Sequence, residues 1–131
     1  MTAPKPVPAR DHAALDRTFS QADFNAFARL SGDDNPIHVD PEFSARTRFG
    51  QTVAHGALLC SVLRGLVETI MPGGRQLSQT TQYPAPSPAG EVLHFEAETV
   101  AETDHGVVIA LKVTRLSDGV ITCLGQTEVT A

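Results

Sequence analysis

The sequence predicts an α+β domain in which a curled antiparallel sheet wraps around one long central helix. Two observations carry this. From Gly56 to Met71 the row GALLCSVLRGLVETIM is apolar on most of its circumference and closes at Pro72-Gly73-Gly74, so the helix it forms needs cover on nearly every side. The second half then turns to β-formers: Leu93, Phe95, Ala97 and Thr99 alternate with His94, Glu96 and Glu98, and Val107, Ile109, Leu111 and Val113 alternate with a more polar set. A long helix followed by a meander of four half-buried strands is the pattern of a sheet curling over a helix.

The elements follow in order along the chain. Thr2 to Pro8 is too rich in proline for regular structure, so residues 1–13 are expected to form a flexible arm and residues 14–131 a single domain. Ser20 reads as a helix N-cap with Asp23 at N3, and Phe24, Phe27 and Leu30 recur at helical spacing until Gly32 stops the helix. Pro36 fixes its own φ and pushes Asn35 into extended geometry, which predicts no helix between Asp33 and His38. Asp40 with Pro41 at N1 opens a short helix ending near Phe49-Gly50. Gln76 to Tyr83 supplies a strand, Pro84 to Gly90 a loop or edge segment, and Val120 to Val129 the last strand. Asp104-His105-Gly106 and Asp118-Gly119 are the hairpin connections, and there is no internal repeat.

Composition excludes several function classes. The formal charge is -5 and no Lys/Arg cluster is present, which argues against nucleic acid or an anionic membrane as a partner. Met1 to Ala9 lacks an apolar stretch of the leader type, and no apolar run approaches the ~18 residues of a membrane span. Cys60 and Cys123 show neither CxxC nor zinc-type spacing, so no metal site is signalled and a reducing cytoplasm is the expected compartment.

The chemistry-bearing stretch is Ser31-Gly32-Asp33-Asp34-Asn35-Pro36-Ile37-His38-Val39-Asp40. It sets a carboxylate and an imidazole on either side of a stiff Asn-Pro step, and such a positioned pair is worth roughly 10²–10⁴-fold in acid/base catalysis. The plain alternative is that Asp33 caps a turn and His38 lies on the surface. His12, His94 and His105 have no partner in sequence and are expected to be solvated.

The row from Phe27 to Pro41, continued by Ala45, Phe49 and Val53-Ala54-His55-Gly56 and more loosely by Pro86 and Gly90-Glu91, resembles the MaoC-like dehydratases. These are the (R)-specific enoyl-CoA hydratases of the hot-dog fold, and the likeness covers most of the chain from about Ser20. It implies reversible syn hydration of a trans-2-enoyl thioester to an (R)-3-hydroxyacyl thioester, carried on coenzyme A or acyl carrier protein. It also implies a homodimer with joined sheets and no cofactor. The family's catalytic pair falls on Asp33 and His38, with either residue as base. Asn35 is then an orienting hydrogen-bond residue or a turn-forming one. Gly56, at the start of the central helix, either donates its N–H to the thioester oxygen or lets the helix pack closely, and His55 beside it is a supporting residue.

One departure stands out. Where the family has a small hydroxyl residue supporting the dyad, this chain has Arg64, with Ser61 one helical turn earlier. Either Ser61 or water takes that substrate-positioning role, or the support differs, or Arg64 faces outward. A substrate carboxylate or Glu68 at i+4 would partner the guanidinium. Two other readings remain open: a hot-dog thioesterase, disfavoured because Glu68 is the one acid on the central helix and sits near its far end, and a non-catalytic acyl-thioester-binding subunit. Scattered basic residues such as Arg46, Arg48 and Lys112 would meet the phosphates of a carrier.

Overall fold

The computed structural model describes residues 9–130. The chain runs β1 (His12–Thr18), α1 (Gln21–Ser31), α2 (Pro36–Val39), α3 (Pro41–Ala45), α4 (Gly56–Ile70), β2 (Arg75–Gln82), β3 (Val92–Glu102), β4 (Gly106–Arg115) and β5 (Val120–Thr130). The five strands form one antiparallel sheet in the order β1-β3-β4-β5-β2. The arm expected over residues 1–13 lies largely outside the described residues, but its last part is ordered. Ala9 N–H bonds the Ile70 carbonyl at 2.8 Å, and β1 begins at His12, paired with Glu98 of β3.

Strand β1 is the element that the sequence does not predict. Only Ala13 of its seven residues is buried, so the alternation that marks a half-buried strand is missing, and its pairing with β3 is what makes it a strand. The same strand gives His94 partners: Asp16 Oδ1 lies 2.6 Å from Nδ1 and Glu96 Oε2 lies 3.1 Å from Nε2, so this histidine is held across the sheet and not simply solvated.

Helix α4 lies against the concave face. Leu59, Leu63, Leu66, Val67 and Ile70 are buried against Leu93, Phe95 and Ala97 of β3 and Ile109, Leu111 and Val113 of β4. The sheet curls around this row with irregularities between Gln76 and Ser78, Thr99 and Ala101, and Val113 and Thr114, where an extra residue increases the local twist. Phe24 of α1 and Phe19 before it close one end of the core against Phe95. The capping box expected for α1 is present, with Ser20 Oγ accepting Asp23 N–H and the Asp23 carboxylate accepting Ser20 N–H.

One expectation about the loop is corrected. Pro36 does not keep the segment up to His38 out of helix; it sits at N1 of the one-turn helix α2, where its missing N–H has no intrahelical role, and Asn35 caps it from extended geometry with ψ 131°. The next helix, α3, ends at Ala45 rather than near Gly50. Because Leu63 is 1% exposed at the centre of the core, Leu63→Ala should lower stability by about 2–5 kcal/mol, read as a fall in the urea midpoint at unchanged slope.

Candidate active site

The loop carrying Asp33 is fixed by its own sequence. Gly32 ends α1 at φ 81°, the left-handed geometry that glycine adopts freely, and turns the chain out of the helix. Ser31 Oγ donates to the Phe27 carbonyl at 2.7 Å and accepts Asp33 N–H at 3.1 Å. Asp33 Oδ1 accepts Asn35 N–H at 3.3 Å, and Asn35 Oδ1 accepts Ile37 N–H at 3.2 Å. Asn35 is therefore a capping residue here, and through its backbone it steadies the Asp33 carboxylate.

His38, on α2, is buried. Its Nδ1–H donates to the Val53 carbonyl at 2.7 Å, while Val53 N–H returns a bond to the Ile37 carbonyl at 3.0 Å. With Nδ1 committed as donor, the neutral ring carries its lone pair on Nε2. That atom stands 3.9 Å from Asp33 Oδ2, too far for a direct hydrogen bond and close enough for one small group to bridge. Gln21 braces the backbone behind the ring, donating from Nε2 to the His38 carbonyl at 2.9 Å and accepting from Thr52 Oγ1 at 2.5 Å.

His55, the N-cap of α4, is 1% exposed. Its ring stacks on His38 at 3.8 Å between centroids and 22° between planes, Phe27 meets it edge-on at 4.8 Å, and its Nε2–H donates to the Asp33 carbonyl at 2.9 Å. Burial, reinforced by the neighbouring His38, pushes its pKa below the ordinary 6.5 against the opposing pull of the Asp33 carbonyl and carboxylate. Asp33, His38 and His55 bring ligand-type atoms within 4.8 Å of one another. Two face-to-face rings cannot both point an in-plane lone pair at one ion, so the arrangement suits proton transfer better than metal coordination.

These groups border a cavity of about 500 Å³ lined by His38, Val53, Gly56, Leu59, Tyr83 and Thr122, with Arg48 and Phe49 at its side. Asp33 is not part of the lining; its side chain is 54% exposed and approaches His38 from outside. Gly56 opens α4, whose first N–H groups receive no side-chain cap, and the Tyr83 ring covers it so closely that a Cβ there would lie 2.6 Å from Cζ. The Tyr83 hydroxyl is 3.2 Å from Cys60 Sγ. Burial and this contact push the phenol pKa up, whereas the neighbouring Cys123 leads the effects that lower that of the Cys60 thiol.

Ser61 is not brought to the pair. It is exposed on another face of α4, donates to the Leu58 carbonyl at 2.7 Å and borders a depression with Leu15 and Arg17. Arg64 reaches Glu68 and the Gly74 carbonyl, each at 3.4 Å, which is the ordinary intrahelical partner the sequence offered. Tyr83 and Gln21 are the site neighbours that sequence reasoning missed. Tyr83 stood at the strand end just before the proline-rich loop, and Gln21 directly after the cap, where neither position carries a signal of its own.

A family model described as the MaoC like domain matches residues 5–120. The chain belongs to the MaoC-like family. This MaoC-like chain is 38% identical over 91 residues to the (R)-specific enoyl-CoA hydratase of Aeromonas caviae, with 68% of each protein covered. It is 37% identical over 90 residues to the 3-hydroxybutyryl-CoA dehydratase of Methylorubrum extorquens, covering 67% of this chain and 57% of that protein, so it spans little more than half of that relative. The solved (R)-hydratase from A. caviae involved in PHA biosynthesis superimposes with a TM-score of 0.84 at 32% identity, over 91% of this chain and 92% of that one. The MaoC-like chain thus has the hot-dog fold. Among the described residues no helix is long and apolar enough to cross a membrane.

The depressed pKa of His55 has a stability consequence. The unfolded chain takes up this proton near 6.5 while the folded one refuses it, so the contribution is full above about pH 6.5 and is lost as pH falls through the lower folded value. The denaturant midpoint of the wild type should decline on the acid side of about pH 6.5, and His55→Phe should lack that part of the decline.

Proposed function

We propose that this protein is a hydro-lyase that reversibly hydrates trans-2-enoyl thioesters to (R)-3-hydroxyacyl thioesters. The observation that carries this reading is the lone pair of His38 Nε2, fixed by the Nδ1–H bond to Val53 and held 3.9 Å from the Asp33 carboxylate beside a cavity that also receives the start of α4. The relatedness to (R)-specific enoyl-CoA hydratase and 3-hydroxyacyl dehydratase sequences supports the same chemistry.

In this mechanism a water bridges Asp33 Oδ2 and His38 Nε2. His38 takes its proton as the oxygen attacks Cβ, and the imidazolium, stabilised by Asp33, returns a proton to Cα on the same face. One group serves both transfers, which gives syn addition and runs backwards as dehydration. Charge gathering on the thioester oxygen is met by the N-terminal N–H groups of α4 at Gly56, a contribution of the kind worth roughly 10²–10³-fold. No cofactor takes part. Ser61 has no assigned role, since its hydroxyl is committed elsewhere.

The reading extends to carrier and assembly. Lys112 is engaged with Glu96 at 3.2 Å, whereas Arg48 borders the cavity, so Arg48 is the basic group that would meet the phosphates of coenzyme A or an acyl carrier protein. The outer edge of β2 is an end of the sheet and Leu77 and Leu124 are exposed beside it, which supports a homodimer joined through this edge. The hydrolytic alternative loses ground, because Glu68 is committed to Arg64 and to Gly73 N–H at 2.8 Å.

The test is the ultraviolet absorbance of crotonyl-CoA with free thiol followed in parallel. Absorbance should fall without thiol release, an (R)-specific dehydrogenase should accept the product, and Asp33→Asn and His38→Ala should each reduce the rate by about 10²–10⁴-fold. Thiol release at the rate of absorbance loss would overturn the proposal in favour of hydrolysis.

A further inference from the structure

We propose that His55 is a positioning residue for the Asp33–His38 pair, acting through its Nε2–H bond to the Asp33 carbonyl. The inference rests on the hydratase reading and adds a residue to it.

Three contacts define what this ring does. Its Nε2–H donates to the Asp33 carbonyl at 2.9 Å, its face covers His38 at 3.8 Å, and Phe27 holds its edge at 4.8 Å. The remaining nitrogen, Nδ1, is buried and has no hydrogen-bond partner. A residue serving only to fill this space would be apolar, since an imidazole here leaves a buried acceptor unsatisfied. The one polar bond it makes is therefore the reason for its chemistry, and that bond goes to Asp33.

Asp33 needs such a bond. It stands in the exposed stretch between Gly32 and α2, with 54% of its side chain exposed, yet its carboxylate has to keep a fixed distance from a buried imidazole. His55 anchors it to the helix packed in the core, because the same residue is the N-cap of α4 and precedes Gly56. One side chain thus links the loop that bears the acid, the ring that bears the base and the helix end that faces the thioester oxygen. Displacement of a reacting group by about 1 Å can lower a rate by roughly 10²-fold, so a tether at this point reaches the chemistry without touching substrate. With Nε2–H engaged and Nδ1 enclosed, His55 itself carries no proton in the reaction.

Two variants separate the bond from the stacking. His55→Phe keeps a ring on His38 and removes the donor, whereas His55→Gln removes the ring and offers an amide N–H at similar reach. His55→Phe should lower kcat on crotonyl-CoA by roughly 10–100-fold with KM little changed, and His55→Gln should recover most of it. Hydrogen exchange at the amides of Asp33, Asp34 and Asn35 should quicken in His55→Phe and not in His55→Gln, and it reads the tether even if the wild type hydrates no enoyl thioester. In that event the hydratase reading fails alone, and quickened exchange in His55→Phe still supports the tether. Unchanged exchange in His55→Phe, unchanged kcat in an active His55→Phe enzyme, or a His55→Gln variant as slow as His55→Phe would each overturn the proposal. Should His55→Phe not fold, His55→Met serves as the donor-free variant under the same criteria.

Discussion

The hydrogen bond from His38 Nδ1 to the Val53 carbonyl, 2.7 Å long and buried, is the contact on which the rest of the site depends. A histidine without such a bond would spread its proton over two nitrogens and its ring over several rotamers. With it, the lone pair sits on Nε2 and the ring plane is set. The bond also joins two parts of the chain that share no secondary structure, the one-turn helix α2 and the segment entering α4, and the return bond from Val53 N–H to Ile37 makes the junction two-sided. The cavity, the stacked His55 and the start of α4 all adjoin that junction.

The fold supplies the rigidity that this junction requires. Helix α4 is held along its length by β3 and β4, so its N-terminus is a fixed point against which the Asp33 loop can be measured. The loop itself is held by small local devices: the left-handed Gly32, the Ser31 hydroxyl, and the Asn35 cap with Pro36 behind it. Together with the His55 bond to the Asp33 carbonyl, these devices give an exposed carboxylate a defined position without burial.

What was legible in the sequence were features that act within a few residues. The Ser20–Asp23 box, the stop at Gly32, the cap at Asp40 and the strand alternation around Phe95 and Ile109 each follow from short-range chemistry, and so does the spacing of Asp33 and His38. What escaped depends on contacts between distant segments. Strand β1 is exposed at all but Ala13 and exists because β3 lies beside it. The proline rule misled because position N1 suits proline as well as a loop does. The stacking of His55 on His38 joins separate segments, and Tyr83 reaches Gly56 from the end of β2, so neither neighbour could be read from local pattern.

The close fit of Tyr83 over Gly56 has a consequence for how this site can change. Residue 56 lacks a side chain because an aromatic ring already occupies the space, as well as for whatever approaches the helix end. The two positions are therefore epistatic. An alanine at 56 displaces the phenol, breaks its link to Cys60 and reshapes the cavity wall in one step, so its effect alone does not measure the worth of the helix terminus. A smaller residue at 83 would relieve the clash and enlarge the cavity at once, which makes this pair a natural point at which acyl preference could drift without disturbing the Asp33–His38 pair.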